Sequence, residues 1–137
     1  MECITIGFTG NRYGLTENQK NEIINILDKY ENIIVLHGDC VGSDTQFHNI
    51  CLHWIKINPN KKLLIHIYPP NNPTLRAFNN GDLVMEEKTY LERNSNIIKN
   101  SSLIIACPKN KEKEELRSGT WSTIRRAKKE KKDLIIL

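Results

Sequence analysis

The chain of 137 residues is the size of one domain and leaves little room for a second core. Its 39% hydrophobic and 26% charged residues match an ordinary soluble protein. No apolar run could span a bilayer, and Met1-Glu2-Cys3-Ile4 lacks the basic stretch and apolar block of a secretory signal, so a cytoplasmic protein is expected. The net charge of +4 favours anionic ligands only weakly, and Cys3, Cys40, Cys51 and Cys107 include no C-x-x-C pair, which argues against a metal site and suits scattered, reduced thiols.

Short apolar runs alternate with longer amphipathic segments. A first strand is predicted over 3–8, followed by Thr9-Gly10-Asn11-Arg12. Thr16 can cap a helix running to about residue 30, with Ile23, Ile24, Leu27 and Tyr30 inward. A second strand over 33–36 ends in His37-Gly38-Asp39-Cys40-Val41-Gly42-Ser43-Asp44. The next helix has Phe47, Ile50, Cys51, Trp54 and Ile55 on one face, and His48 and His53, five apart, on different faces. A third strand covers 63–68. The connection over 69–87, rich in Pro and Asn, is too long for a neutral linker and is expected to lie over a site. A helix over roughly 88–99, a fourth strand over 102–107 stopped by Pro108, a charged loop, a last helix over 118–132 and a closing strand over 133–137 complete the chain.

Strands that are continuous apolar runs imply burial on both faces, and strand–helix alternation points the same way. The expected fold is one α/β domain over 1–137: a three-layer, Rossmann-like arrangement with a mainly parallel sheet of about five strands. Arg125, Arg126, Lys128, Lys129, Lys131 and Lys132 fall in the last helix. No aromatic residues interleave with them to stack bases, so they read as a solvated face, and no nucleic-acid partner is expected.

The unusual residues fall just after strands. Thr9, Gly10, Asn11 and Arg12 follow the first; Gly38, Asp39, Gly42, Ser43 and Asp44 follow the second; Arg76 lies in the long connection after the third; Ser118, Gly119 and Thr120 come after the fourth, at a helix start. In a parallel α/β sheet these positions gather along the carboxyl edge, where ligands bind. Glycine permits close backbone approach, helix N-termini offer unpaired N–H groups, and Arg12, Arg76 and Arg93 can supply paired donors, a combination that suits phosphate. Asp44 has a second reading as a helix N-cap. No Lys-Ser/Thr follows Gly42, so there is no Walker A loop; G-x-G-x-x-G and G-x-S-x-G are also absent. Neither a metal nor a cofactor is expected.

At these loops the chain resembles the SLOG superfamily, the Rossmann-like group of the LOG phosphoribohydrolases, the DNA-processing protein DprA and the YpsA and YspA-type proteins. Ile6-Gly7-Phe8-Thr9-Gly10-Asn11-Arg12 is similar to the family's first-strand segment ending in G-x-R, and Gly38 to Asp44 to its G-x-x-x-G-x-D turn. His48 echoes a D-x-x-x-H pattern, Arg93-Asn94 an R-N pair, and Gly119-Thr120-Trp121 the G-T-W helix start of YspA-type proteins. The resemblance implies binding of a nucleotide or nucleotide-derived signal, ADP-ribose-like or a nucleoside phosphate, with Trp121 and Asn94 added to the site, and a homodimer. Its alternative implication is a nucleoside 5′-monophosphate N-glycosidase, with Arg93 and Asp44 as candidate catalytic residues. Against that, Thr123 stands where the enzymatic relatives carry their final Glu. A nucleic-acid-associated, DprA-like module ranks third.

Overall fold

The structure, a computed structural model, describes residues 3–137; Met1 and Glu2, which belong to the expected domain and to the signal reading, lie outside the described residues. Six strands and four helices alternate: β1 (Cys3–Gly10), α1 (Glu17–Leu27), β2 (Asn32–His37), α2 (Ser43–Ile57), β3 (Lys62–Ile67), β4 (Leu83–Val84), α3 (Tyr90–Lys99), β5 (Leu103–Cys107), α4 (Gly119–Lys129) and β6 (Asp133–Ile136). They form one sheet in the order β4-β3-β2-β1-β5-β6, parallel throughout. The expected α/β fold is thus present with six strands, not five. The additional strand lies inside the long connection after β3 and is two residues long, too short to produce any periodicity.

Side-chain alternation divides the sheet into two faces. One face carries Ile6 and Phe8 of β1, Ile33 and Val35 of β2, Leu63, Ile65 and Ile67 of β3, and Leu103, Ile105 and Cys107 of β5. These pack on Ile23, Ile26 and Leu27 of α1 and on Phe47, Cys51 and Trp54 of α2. Phe8 and Phe47 stack with centroids 4.2 Å apart and rings 3° from parallel. On the other face Ile104 packs with Ile98 of α3 and Ala127 of α4, and Ala106 packs with Trp121 and Ile124 of α4. Helices therefore lie on both faces, giving three layers.

Burial on both faces holds for β5, all of whose residues are buried, but not for β3. Leu64 is 46% exposed where Leu63 is 8% exposed. The reason is helix placement: α3 packs over β1, and α4 over β1, β5 and β6, so neither covers the outer side of β3. Helix ends also differ from expectation by a residue or more. Thr16 caps α1 in a reciprocal capping box with Gln19, and α1 stops at Leu27. Thr89 and Ser118 cap α3 and α4 instead of lying within them. Among the described residues no helix is long and apolar enough to cross a membrane.

The uneven layering has a direct consequence. Leu63→Ala is expected to cost about 2–3 kcal/mol of folding free energy and Leu64→Ala less than about 1 kcal/mol, as read by urea denaturation. Equal losses would show that β3 is covered on both sides.

Candidate functional site

Parallel register brings the ends of the strands level. Gly10 pairs with Cys107, and His37 with Ile67, so the segments after β1, β2, β3 and β5 leave the sheet at one edge. Between them lies a cleft of about 710 Å³. Thr9, Gly10, Asn11 and Arg12 reach it from β1, Gly38 and Asp44 from the β2 turn, Arg93 and Asn94 from α3, and Ser118, Gly119 and Thr120 from the start of α4. Eleven of the sequence-predicted residues thus share one cavity. A second cavity, about 380 Å³ and largely apolar, lies between α1 and α2 and includes none of them.

The turn from β2 to α2 is shaped by backbone constraints. Gly42 has φ 90°, a conformation L side chains rarely adopt, and a Cβ there would overlap the Arg12 carbonyl. At Gly38 a Cβ would occupy the place of the Arg93 guanidinium. Arg93, 2% exposed, donates through Nη1 to the Gly38 carbonyl and to the Tyr68 carbonyl at 3.2 Å. Its Nε donates to Asn94 Oδ1 at 2.7 Å, and its Nη2 to Cys40 Sγ at 3.6 Å. The Tyr90 ring lies 4.6 Å from the guanidinium carbon. No carboxylate lies within ion-pair distance of Arg93 among the described residues, so two backbone carbonyls and the Asn94 and Cys40 side chains satisfy its buried donors.

Asp44 is not the N-cap. Gly42 holds that position, and Asp44 sits in the first turn, where its carboxylate accepts from Cys40 N–H at 3.1 Å. Burial pushes its pKa up to about 6, with Arg93 and the Cys40 N–H acting the other way. Beneath the turn, Asp39 N–H donates to His37 Nδ1 at 2.9 Å. A backbone N–H can only donate, so the His37 proton resides on Nε2 and is donated to His48 Nδ1, 2.9 Å away. Burial, reinforced by His48 and Arg93, depresses the His37 pKa to about 3, and burial also lowers that of His48, which favours a neutral pair at neutral pH.

Five sequence-predicted residues do not line the cleft. Asp39 is fully buried: it accepts from Asn79 N–H and Asn79 Nδ2, both at 3.0 Å, and pairs with Arg76 Nε at 3.4 Å. Asp39 and Arg76 therefore clamp the connection after β3. Arg76 is further engaged by Glu87 and by the Phe78 ring. Ser43 donates to the Asn11 carbonyl, Gly42 serves the turn, and Trp121 is buried against Ala106 and Ile124. Small polar residues after strands look alike in sequence whether they hold a loop or face a ligand.

Other lining residues had escaped the sequence reading: Tyr13, Cys40, Tyr90, Lys109 and Arg117, with apolar Val41, Leu75, Leu91 and Leu116. Tyr13 and Arg117 adjoin predicted positions, so neighbourhood was their only signal; Tyr90 and Leu91 had none. Arg12, Lys109 and Arg117 are exposed, and among the described residues none forms an ion pair with a carboxylate. Arg12 and Lys109 approach the Tyr13 ring to 5.4 and 5.1 Å. The hydrogen bond from Arg12 and the two charges lower the Tyr13 pKa.

The chain matches no protein-family model and no curated protein.

Two outcomes test this geometry. Because the folded pKa of Asp44 exceeds its ordinary value of 3.8, its contribution to stability is full below pH 3.8 and is lost as pH rises through 6. Acidification from pH 6 to 4 should therefore stabilise the wild type relative to Asp44→Asn by about 2 kcal/mol in urea titrations, the His37 contribution cancelling in the comparison. Parallel profiles would contradict the burial of this carboxyl. Gly38→Ala should displace Arg93 and lower stability by about 2 kcal/mol or more, through the freed Gly38 and Tyr68 carbonyls, as measured by thermal melting.

Proposed function

We propose that this protein binds a nucleotide or nucleotide-derived signal, ADP-ribose-like or a nucleoside phosphate, in the cleft at the carboxyl edge of its sheet, in the manner of the SLOG superfamily that its loops resemble. The observation that carries the reading is the convergence of Arg12, Lys109 and Arg117, none neutralised by an ion pair among the described residues, with the first turn of α4 in one cavity. Cations in a concave site concentrate anions, and a helix start adds oriented N–H donors. Arg93 has a structural part in this reading: its donors hold the walls, and its charge biases the cleft toward anions.

Binding without turnover is the better-supported form. Thr123, at the position of the enzymatic relatives' Glu, is 3% exposed and donates to the Gly119 carbonyl at 3.1 Å, so it cannot serve as acid or base. One observation favours N-glycosidase activity as a second reading: Asp44 places on the cleft wall a carboxyl with a pKa of about 6, suited to accepting a proton from water. Chromatography for free base released from nucleoside monophosphates separates the two readings. Release abolished by Asp44→Asn would establish the enzyme; no release leaves the binding protein.

Thermal shift and calorimetry against a nucleotide panel test the main reading. Arg12→Gln and Arg117→Gln should each weaken binding about tenfold, since a hydrogen bond to a charged group is worth about 1.5–3 kcal/mol, and should leave the melting temperature of the free protein unchanged. Affinity should also fall as salt rises. If no phosphate-bearing ligand binds, the proposal fails.

A further inference from the structure

Thirteen large apolar side chains are exposed among the described residues, and six of them, Tyr13, Val41, Leu75, Tyr90, Leu91 and Leu116, line this one cleft. They come from five segments: the loops after β1, β2, β3 and β5, and the start of α3. Folding does not cover them, and an exposed apolar cluster with a charged rim marks a binding surface. Leu116 is the extreme case at 85% exposed. Its side chain is uncovered while its backbone is held: Arg125 of α4 donates to the Leu116 carbonyl at 3.2 Å and to the Glu115 carbonyl at 3.5 Å, and pairs with Glu114 at 2.7 Å. On another wall, Val41 N–H donates to the Leu75 carbonyl at 3.1 Å. These apolar groups are therefore set in place before any ligand arrives.

Several of the polar groups that could read a base edge are engaged by the protein. Asn11 donates through Nδ2 to the Cys107 carbonyl and accepts through Oδ1 from Tyr13 N–H. Asn94 Oδ1 accepts from Arg93, and the Cys40 thiol faces the Gly38 carbonyl. Ser118 Oγ caps Trp121 N–H. The carboxyl groups of Asp44 and Glu115 and the hydroxyls of Thr9, Thr120 and Ser122 also line the cleft.

We propose that the apolar side chains of the cleft, the exposed Leu91 and Leu116 among them, grip the base of a bound nucleotide by burial alone, so that affinity requires a base but does not depend on which base it is. Arg125 acts as a positioning residue by holding the Leu116 segment over the cleft. The inference rests on the nucleotide reading above and adds the class of ligand: nucleoside phosphates selected by their phosphate end.

Calorimetry with AMP, GMP, CMP, UMP and ribose 5-phosphate tests it on the full chain. The four nucleotides should bind within about threefold of one another, and ribose 5-phosphate at least about tenfold more weakly, because an apolar pocket discriminates poorly among shapes it can cover. Leu91→Ser and Leu116→Ser should each weaken AMP about fivefold and leave ribose 5-phosphate unchanged, and Arg125→Gln should reproduce the Leu116→Ser pattern. Both leucines are exposed, so the melting temperatures should not move. Preference beyond about tenfold for one base, guanine through Glu115 or Asp44 above all, overturns the inference and leaves the nucleotide reading standing. Equal affinity for ribose 5-phosphate and AMP does the same. If none of the five binds, this inference falls, and the nucleotide reading falls with it only if ADP-ribose and the rest of the nucleotide panel also fail to bind.

Discussion

The architecture of the cleft depends on a buried guanidinium with no carboxylate partner. A charge taken out of water is tolerated only when its donors are satisfied, and Arg93 satisfies them on two backbone carbonyls and on the Asn94 and Cys40 side chains. Its hydrogen bonds reach the Gly38 carbonyl after β2 and the Tyr68 carbonyl after β3, while its own Cα belongs to α3. One side chain therefore ties three segments into a single wall. The missing Cβ of Gly38 is the space the guanidinium occupies, so glycine and arginine are two halves of one feature.

Around this feature the polar residues divide into those that hold and those that face the cleft. Asp39 and Arg76 look like ligand groups in sequence but are spent on each other and on Asn79. His37 and His48 support the same turn from below as a neutral pair. Arg12, Lys109 and Arg117, none of them in an ion pair among the described residues, stand at the cleft with apolar side chains around them. That division leaves cations and apolar side chains in one cavity, the combination that the proposed nucleotide would use. The buried Thr123, bonded to its own helix, weighs against the glycosidase chemistry that the same loops suggest at first sight.

Much of the fold was legible in the chain. β-strand runs such as Leu103–Cys107, the Thr16 cap and the apolar face of α2 are local patterns, and local patterns suffice for element type. Element ends were less legible, because Thr89 and Ser118 can begin a helix or cap it. β4 escaped notice because two residues carry no period. The open outer side of β3 was invisible because Leu63 and Leu64 are the same residue type, and only the position of α3 and α4 exposes one of them.

By itself the sequence determined that the chain forms strands and helices in alternation, and that glycines and polar residues punctuate the strand ends. A parallel sheet then puts those ends on one edge, which is why the segments bearing Gly10, Gly38, Arg93 and Gly119 could be assigned to a shared site from order alone. Only the tertiary structure decided which of their side chains are consumed in holding the edge together and which face the open cleft. The physical reason is that hydrogen bonding and burial depend on partners distant in the chain. Asp39 meets Asn79, Arg93 meets Gly38, and Arg125 steadies Leu116 across separations that no local pattern records.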